Sequence, residues 1–591
     1  MAETITKKEK FGDVELETIY RKARIPASAE EMAHAPGTSE EDNWDGLGEK
    51  SLAGAGFGFC PPLNPRTYVA EPGIICDQDV PVTLRDGTTI YTDIYRPEGA
   101  TRIPVIVSWS IFGKRPGDGF DEWQIIGVPP GTVSRMAKFE SPDPGFWCRH
   151  GYAVANVDPR GVGNSEGDIN LFGTQDARDG HDFIEWIATQ HWCSGKVGMG
   201  GNSGVAMTQW RVAAQQPPHL TCIAPWEGTG DLYRESLFTG GVPARSFNNF
   251  ILSSLVGHGY LDDTVAMSKK YPFLNAYWAD KIPEWKKIRI PVYTTVCWNH
   301  FHLRGSMEGF RRIRSTKKWI RTHREFEWPD SYCVAGIQEL KLFYDRYLKE
   351  IRNGWELTPR VRLEVMDSYE FNYQVNRPEK AFPLKRTEYK KLYVDAANNA
   401  LSVEPVETET TISYDGAEGE VNFDIPFEED TEITGYMKLR LWVEAEGHDD
   451  MDLFISIQKL DKDGNWLPVS VLEEPHPGAW GSMRVSRRAL DEKQSTHYQP
   501  IQAHQKDEKL SPGEIVPVEI EIWPHSRIWH KGEQLRVRVA GRYIREGWFE
   551  PLTWDADNKG KHVIHSGGQY DAYLQIPVIP PKFVAGDCVY R

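Results

Sequence analysis

The segment KVGMGGNSGVAMTQW, residues 196–210, sets one serine, Ser203, between a short apolar run and a stretch of helical composition. Nucleophilic chemistry at a serine needs a crowded turn that exposes the hydroxyl and a donor for the charge that develops on the substrate. Glycines 200 and 201 permit the crowding. The backbone N–H of Gly204 would face a developing oxyanion from a helix N-terminus, where the helix dipole adds to it. A strict G-x-S-x-G requires glycine at position 205, where Val205 stands; Ala206 can supply the small residue that close helix–strand packing requires. Farther along, WNHFH carries His300 and His302. An H-x-H pair could hold a metal, but two ligands with no third in view do not define a site. No metal and no cofactor is expected.

These residues need a scaffold. The runs RIPVIVSWSIFG (102–113), GYAVANVDPRG (151–161), KVGMGG, LTCIAPW (220–226), RIPVYTTVCW (289–298) and KKWIRTH (317–323) are short, apolar and ended by turn residues. Buried parallel strands read this way. Between them, DARDGHDFIEWIATQHW (176–192), GVAMTQWRVAAQQ (204–216), GSMEGFRRIR (305–314) and AGIQELKLFYDRYLKE (335–350) have helical patterning. Strand alternating with helix predicts the α/β class with a parallel sheet. Upstream, DVPVTLRDGTTIYTDIYRPEG alternates about Asp86-Gly87 and predicts a hairpin. The sheet domain is expected over 61–231 and 288–365, interrupted at 232–287 by an aromatic-rich, irregular segment read as a helical cap. Over 385–591 apolar and polar residues alternate between Gly, Asp and Pro turns, which predicts an all-β jelly roll or β-sandwich. Residues 1–60 have little periodicity and read as an N-terminal extension or arm.

A chain of 591 residues has room for about two to four domains. With 85 acidic and 68 basic side chains, a net charge of -17, nucleic acid and anionic membrane are excluded as partners and a small molecule is the expected one. The 8 cysteines are scattered without C-x-x-C, which argues against a zinc ribbon or a disulfide framework. The first residues are polar and no apolar run reaches the roughly 20 residues of a membrane helix. A soluble, cytoplasmic protein is expected.

Five segments together resemble the cocaine esterase / X-prolyl dipeptidyl-peptidase (CocE/NonD) family. They are VPVTLRDGTTIYTDIYRPEG, VDPRGVGNSEG (157–167), IEWIATQHWCSGKVGMGGNSGVAMTQW, IAPWEGTGDLYR (223–234) and EDTEITGYMKLRLWV. The resemblance spans about residues 78–590. It implies an α/β-hydrolase fold with an inserted helical cap and a C-terminal jelly roll. It also implies a serine-dependent acyl hydrolase that cleaves a small, fairly apolar ester or amide through an acyl-enzyme at Ser203. In that family the small residue falls one place later than in G-x-S-x-G, which suits Ala206. The family places an aspartate after the strand matching YTTVCW and a histidine after the next strand. Here the first site has no carboxylate and the second reads THREFEW (322–328). His323 is therefore the expected base, His300 and His302 are its rivals, and Glu325 or Glu327 is the candidate acid. The family's oxyanion tyrosine corresponds to Phe112 in SIFGK, which leaves the Gly204 N–H and a backbone N–H near Phe112 as the expected donors. Asp158 and Arg160 are expected to brace their turn, Asp231 and Arg234 to anchor the cap. A homo-oligomer embraced by the N-terminal arm is compatible with the sequence.

Two other readings compete. A repurposed α/β-hydrolase fold could use His300, His302 and His323 for non-covalent acid–base chemistry, as a lyase, isomerase or cyclase on a hydrophobic metabolite, because fold does not dictate function. A catalytically silent binding module is the third. An acyl-enzyme at Ser203 separates the first from both.

Overall fold

The computed structural model describes residues 3–25, 60–115, 127–129, 131–369, 371–471, 474–543 and 553–581. The chain divides into two compact units. One comprises Met1–Arg360, Val471–Glu474 and Glu546–Asp555; the other comprises Val361–Ser470, Pro475–Arg545 and Ala556–Arg591.

The first unit contains strands β1 (Thr4–Phe11), β2 (Val14–Lys22), β3 (Arg66–Glu71), β4 (Ile74–Thr83), β5 (Thr89–Pro97), β6 (Ile103–Trp109), β7 (Ala153–Asp158), β8 (Cys193–Asn202), β9 (Leu220–Trp226), β10 (Tyr260–Asp262), β11 (Val292–Cys297) and β12 (Lys318–His323). Its helices are α1 (Pro144–Arg149), α2 (Thr174–Ala188), α3 (Ser203–Ala214), α4 (Ser246–Ser254), α5 (Thr264–Lys270), α6 (Ala276–Asp280), α7 (Leu303–Arg312), α8 (Glu327–Tyr332) and α9 (Val334–Leu348). The main sheet runs β3-β4-β5-β7-β6-β8-β9-β11-β12, antiparallel up to the β5–β7 pair and parallel from β7 onward. Every residue of β7 and β11 is buried, because helices cover both faces. On one face Val105, Val107 and Val197 meet Phe183, Ile184 and Ile187 of α2 and Trp210 and Val212 of α3. On the other, Ile106, Val154 and Ala224 meet Phe343, Tyr344 and Leu348 of α9. The carboxyl ends of β8, β9, β11 and β12 thus lie side by side, which is where an open parallel sheet gathers ligands.

The cap expected at 232–287 contains a π-helical turn at Tyr233–Leu237, then α4, β10, α5 and α6. Its side chains Leu232, Leu237, Leu252, Val265 and Trp278 share a core with Ile111, Phe172 and Met207. The ion pair of Asp231 and Arg234, 2.9 Å apart and buried, fixes the point where the chain enters the cap. Asp158 and Arg160 brace their turn through separate partners. Asp158 pairs with buried Lys114 at 3.3 Å, and Arg160 with Asp179 at 2.6 Å.

Residues 4–22 correct one expectation. They form an antiparallel hairpin, β1–β2, which β10 extends on the β2 side. Phe11, Leu16 and Ile19 pack against the cap core, and Arg21 pairs with Asp263 at 2.8 Å. The strand alternation was hidden because the half-buried face of TITKKEKF carries Lys7 and Glu9 between Ile5 and Phe11. The rest of the expected arm, residues 26–59, lies outside the described residues.

The second unit is the expected β-sandwich, but it begins at residue 361 rather than 385. Val361–Met366 is wholly buried and pairs antiparallel with Asn372–Glu379. The long strand Thr431–Glu446 pairs with Val516–Trp529 on one side and with Lys561–Ser566 and Tyr573–Val578 on the other. Facing it, Asp452–Leu460 pairs with Gln534–Ala540 and Ala479–Arg484. Alternate residues of the two layers, among them Leu439, Leu441, Ile520, Leu453, Ile455 and Val537, fill one core that includes Trp529. Trp480 and Trp523 pack with their ring centroids 4.4 Å apart and their planes tilted by 43°, outside that cluster. Asp367, His530 and Glu533 converge as cation ligands would, and the Lys459 ammonium lies among them, 2.5 Å from Asp367 and 2.7 Å from Glu533. Among the described residues no helix is long and apolar enough to cross a membrane.

Candidate active site

Ser203 is the first residue of α3, directly after β8, and holds a left-handed backbone, φ 50°. A non-glycine residue in that region carries strain of order 1–3 kcal/mol, sustained here by the strand and helix on either side. Gly201 makes the turn feasible. At φ 123°, a Cβ there would lie 2.5 Å from the Val205 side chain and 2.6 Å from the Glu140 carbonyl. Ala206 does what a small residue is needed for, since its Cβ lies 3.0 Å from where Gly228 would carry one.

The Ser203 hydroxyl meets His302, not His323. Ser203 Oγ lies 3.1 Å from His302 Nε2, and His302 Nδ1 hydrogen-bonds the Thr229 hydroxyl. His302 is the N-cap residue of α7, in the loop after β11, and is 5% exposed. Burial, with neighbouring His300 adding to it, pushes its pKa well below the ordinary histidine value. His300 stands behind it. Its Nδ1 accepts the His302 backbone N–H at 2.9 Å, which leaves the proton on Nε2, 3.2 Å from Glu327 Oε1. The ring nitrogens of His300 and His302 thus all have hydrogen-bond partners, and the pair is not arranged to chelate a metal.

His323, the last residue of β12, is engaged elsewhere. Its Nε2 lies 2.9 Å from Glu227 Oε1 and 3.3 Å from Asp330 Oδ2, and its Nδ1 is 2.9 Å from the Glu325 carbonyl. Burial disfavours its charged form, but Asp330 and Glu227 outweigh that and raise its pKa above the ordinary value. The physical reason is strand geometry. A residue inside β12 has its direction fixed by the pleat, whereas His302 lies beyond the strand end and can turn to Ser203. Glu325 contributes only its carbonyl, its carboxylate being 58% exposed beside Arg324. Glu327 is buried and accepts from both His300 and the Asn202 side-chain amide, the latter at 2.8 Å. Burial lifts its pKa well above the ordinary carboxylate range; the Asn202 bond opposes that and Glu227 adds to it.

The Gly204 N–H, expected to face an oxyanion, has a carboxyl oxygen at its end. It donates to Glu140 Oε2 at 3.2 Å. The second expected donor is a correction. The Phe112 N–H is already bonded to Ser110 Oγ at 3.1 Å, and the Phe112 ring lies against Gly204, 3.1 Å from its would-be Cβ. Glu140, Thr229 and Glu227 are site residues that sequence reasoning missed. Thr229 and Glu227 had a readable signal in PWEGTGD, polar residues at the carboxyl end of a parallel strand. Glu140, in the aperiodic stretch MAKFESPDP, had none.

Ser203, Gly204, Thr229 and His302 line a cleft of about 530 Å³, a figure that includes the solvent at its mouth. Its walls are apolar, with Phe112, Phe172, Met207, Leu232, Phe247 and Ile251 prominent, and no Lys, Arg, Asp or Glu is among the described residues that line it.

Residues 86–257 match the X-Pro dipeptidyl-peptidase (S15 family), and residues 353–575 match the X-Pro dipeptidyl-peptidase C-terminal non-catalytic domain. The cocaine esterase of Rhodococcus sp. (strain MB1 Bresler) is 24% identical over 606 residues, covering 85% of this chain and 98% of that protein. The structure of an α-amino acid ester hydrolase shares the fold, with TM-score 0.63 and 16% identity over 88% of this chain and 99% of the other. A CocE/NonD family hydrolase from Staphylococcus aureus is 36% identical with TM-score 0.82, over 86% of this chain and 94% of that one. With both domains matched in order and a relative of this identity aligned over nearly its whole length, the chain belongs to the CocE/NonD family of α/β-hydrolases.

Proposed function

We propose that the protein is a serine acyl hydrolase with Ser203 as nucleophile and His302, not His323, as its base. The observation that carries this is the 3.1 Å contact between Ser203 Oγ and His302 Nε2 at a strained turn facing the cleft. With its proton on Nδ1 given to Thr229, His302 leaves Nε2 free to accept the serine proton as Oγ attacks a carbonyl. The imidazolium then returns that proton to the leaving group, and water resolves the acyl-enzyme by the same route. Thr229 holds the ring at Nδ1, where other serine hydrolases place an orienting aspartate, but its hydroxyl can donate as well as accept, so it does not by itself set the tautomer, and it brings no negative charge to stabilise the imidazolium. Replacing such an aspartate by a neutral group costs about 10⁴ in kcat in a serine protease, so slow turnover is expected. The substrate is a small neutral ester or amide with an apolar acyl group, because the cleft offers apolar walls and no counter-charge. Membership of a hydrolase family does not favour the non-covalent reading.

The test is intact-mass labelling with a fluorophosphonate. Stoichiometric labelling of wild type and none of Ser203→Ala supports the reading. Unlabelled, folded wild type that also fails to hydrolyse p-nitrophenyl esters overturns it.

A further inference from the structure

Glu140 is a buried carboxyl at the reacting serine that the reaction above does not use. It is 2% exposed, and its backbone is left-handed at φ 59°. Its carbonyl accepts the Asn202 N–H at 3.1 Å, which ties its position to the residue before the nucleophile. Its side chain takes two contacts: Oε2 accepts from Gly204 N–H at 3.2 Å and Oε1 from Trp328 Nε1 at 3.4 Å. An acceptor oxygen 3.2 Å from the amide after the nucleophile stands where a substrate oxyanion would stand. No Lys, Arg or His is paired with this carboxyl among the described residues. Lys138, two positions earlier and wholly buried, has no hydrogen-bond partner there for its ammonium nitrogen.

We propose that Glu140 acts as a neutral carboxylic acid and is the second oxyanion donor, giving its O–H to the substrate carbonyl oxygen beside the Gly204 N–H. This rests on the reading of Ser203 as nucleophile. As the Ser203 Oγ–carbon bond forms, the carbonyl π pair moves to oxygen and the serine proton passes to His302 Nε2. The new oxyanion displaces Glu140 Oε2 from the Gly204 N–H and accepts from both groups. On collapse the C=O re-forms, the leaving group takes the proton from His302, and Glu140 is unchanged. Burial, with the charge of Glu327 next, pushes the pKa of Glu140 well above the ordinary carboxyl range, which keeps the donor proton in place. The groups facing it are Glu327 and Trp328 at the start of α8, Tyr332 at its end, Lys138, whose pKa burial lowers to about 7, and His302 through Ser203.

Glutamine and alanine at 140 separate a donor from a base or a plug. On p-nitrophenyl butyrate, Glu140→Gln keeps an N–H donor and should retain kcat within about tenfold. Glu140→Ala should lose about 10²–10³, the loss found on removing one oxyanion donor. Wild type should lose activity at alkaline pH as Glu140 ionises, and Glu140→Gln should lack that limb, whereas a limb set by Lys138 or Tyr332 would persist in it. Loss in Glu140→Gln equal to that in Glu140→Ala overturns the proposal in favour of a general base, and a gain in Glu140→Ala overturns it in favour of a plug. Thermal unfolding checks that each variant is folded. Fluorophosphonate labelling of wild type and of both variants keeps the outcomes apart: a labelled wild type with an unaffected Glu140→Ala refutes the donor alone, while an unlabelled, inactive wild type refutes the Ser203 reading.

Discussion

The Asn202 side-chain amide donates to Glu327 Oε2 at 2.8 Å, so the residue before Ser203 is tied to the first residue of α8. The other Glu327 oxygen receives the His300 ring, and one carboxyl therefore holds the serine turn and the histidine loop together. A glutamine at 327 offers one acceptor where two are needed, and one contact becomes donor against donor. An unsatisfied buried group costs about 1–3 kcal/mol, so Glu327→Gln should lower Tm by a few degrees in scans at matched rate. Asn202→Ala should slow fluorophosphonate labelling, since it releases the turn. Unchanged Tm and unchanged labelling in both variants would refute the tie.

The two histidines at the ends of β11 and β12 make opposite predictions. His302→Ala removes the proposed base, and kcat on p-nitrophenyl butyrate should fall by about 10²–10⁴. His323→Ala removes the ring that Glu227 faces and leaves that buried carboxylate, among the described residues, with only the Cys297 N–H donating to it, whereas Asp330 keeps its pair with Arg321. Breaking a buried pair in this way costs about 3–5 kcal/mol, while labelling of the molecules that remain folded should match wild type. If folded His323→Ala fails to label and His302→Ala labels normally, the assignment is reversed.

The pH profile follows from the same residues. The base must be neutral, and burial holds the pKa of His302 well below the ordinary 6.5. The acid limb of kcat/KM should therefore lie below pH 6.5; a limb at or above pH 7 would contradict a base with this environment. Stability follows with its own sign. Below pH 6.5 the unfolded chain binds a proton that buried His302 refuses, so its contribution to folding weakens as pH falls. His323 is opposite, since its raised pKa gives stability that is present below pH 6.5 and lost as pH rises through the raised value. In urea titrations His323→Ala should lose more stability, relative to wild type, at pH 6 than at pH 9.

The turn at Ser203 was legible because each part has a local cause. The apolar run makes β8, the glycines make the turn, and Ala206 admits the close approach of α3. The parallel sheet followed from runs buried on both faces alternating with helices, while the order of its strands was not read. The proposed base was not legible, because His302 lies in the loop after β11 and His323 closes β12, and the pleat of β12, unseen in the sequence, aims His323 at Glu227. Phe112 could not be excluded as a backbone donor, since its N–H is used by a serine only two residues away. The boundary at 361 was missed because Val361–Met366 is buried throughout and shows none of the alternation that marks the later strands.

The cleft makes a prediction about selectivity. Its walls include Phe112, Phe172, Met207, Leu232, Phe247 and Ile251 beside the neutral polar Ser236, Asn248 and Thr264, and no Lys, Arg, Asp or Glu is among the described residues that line it. Each methylene moved from water onto such a surface is worth about 0.8 kcal/mol, or roughly fourfold in kcat/KM where it is held in the transition state. From p-nitrophenyl acetate to butyrate, two methylenes, kcat/KM should rise by about fifteenfold. An acyl chain ending in a carboxylate or an ammonium should lose that gain, because the charge would be stripped of water with nothing to pair it. Ile251→Trp narrows the cleft and should reverse the order, favouring acetate over butyrate without changing labelling by a small fluorophosphonate. A preference for charged acyl groups in wild type would mean that the acyl chain lies outside this cleft.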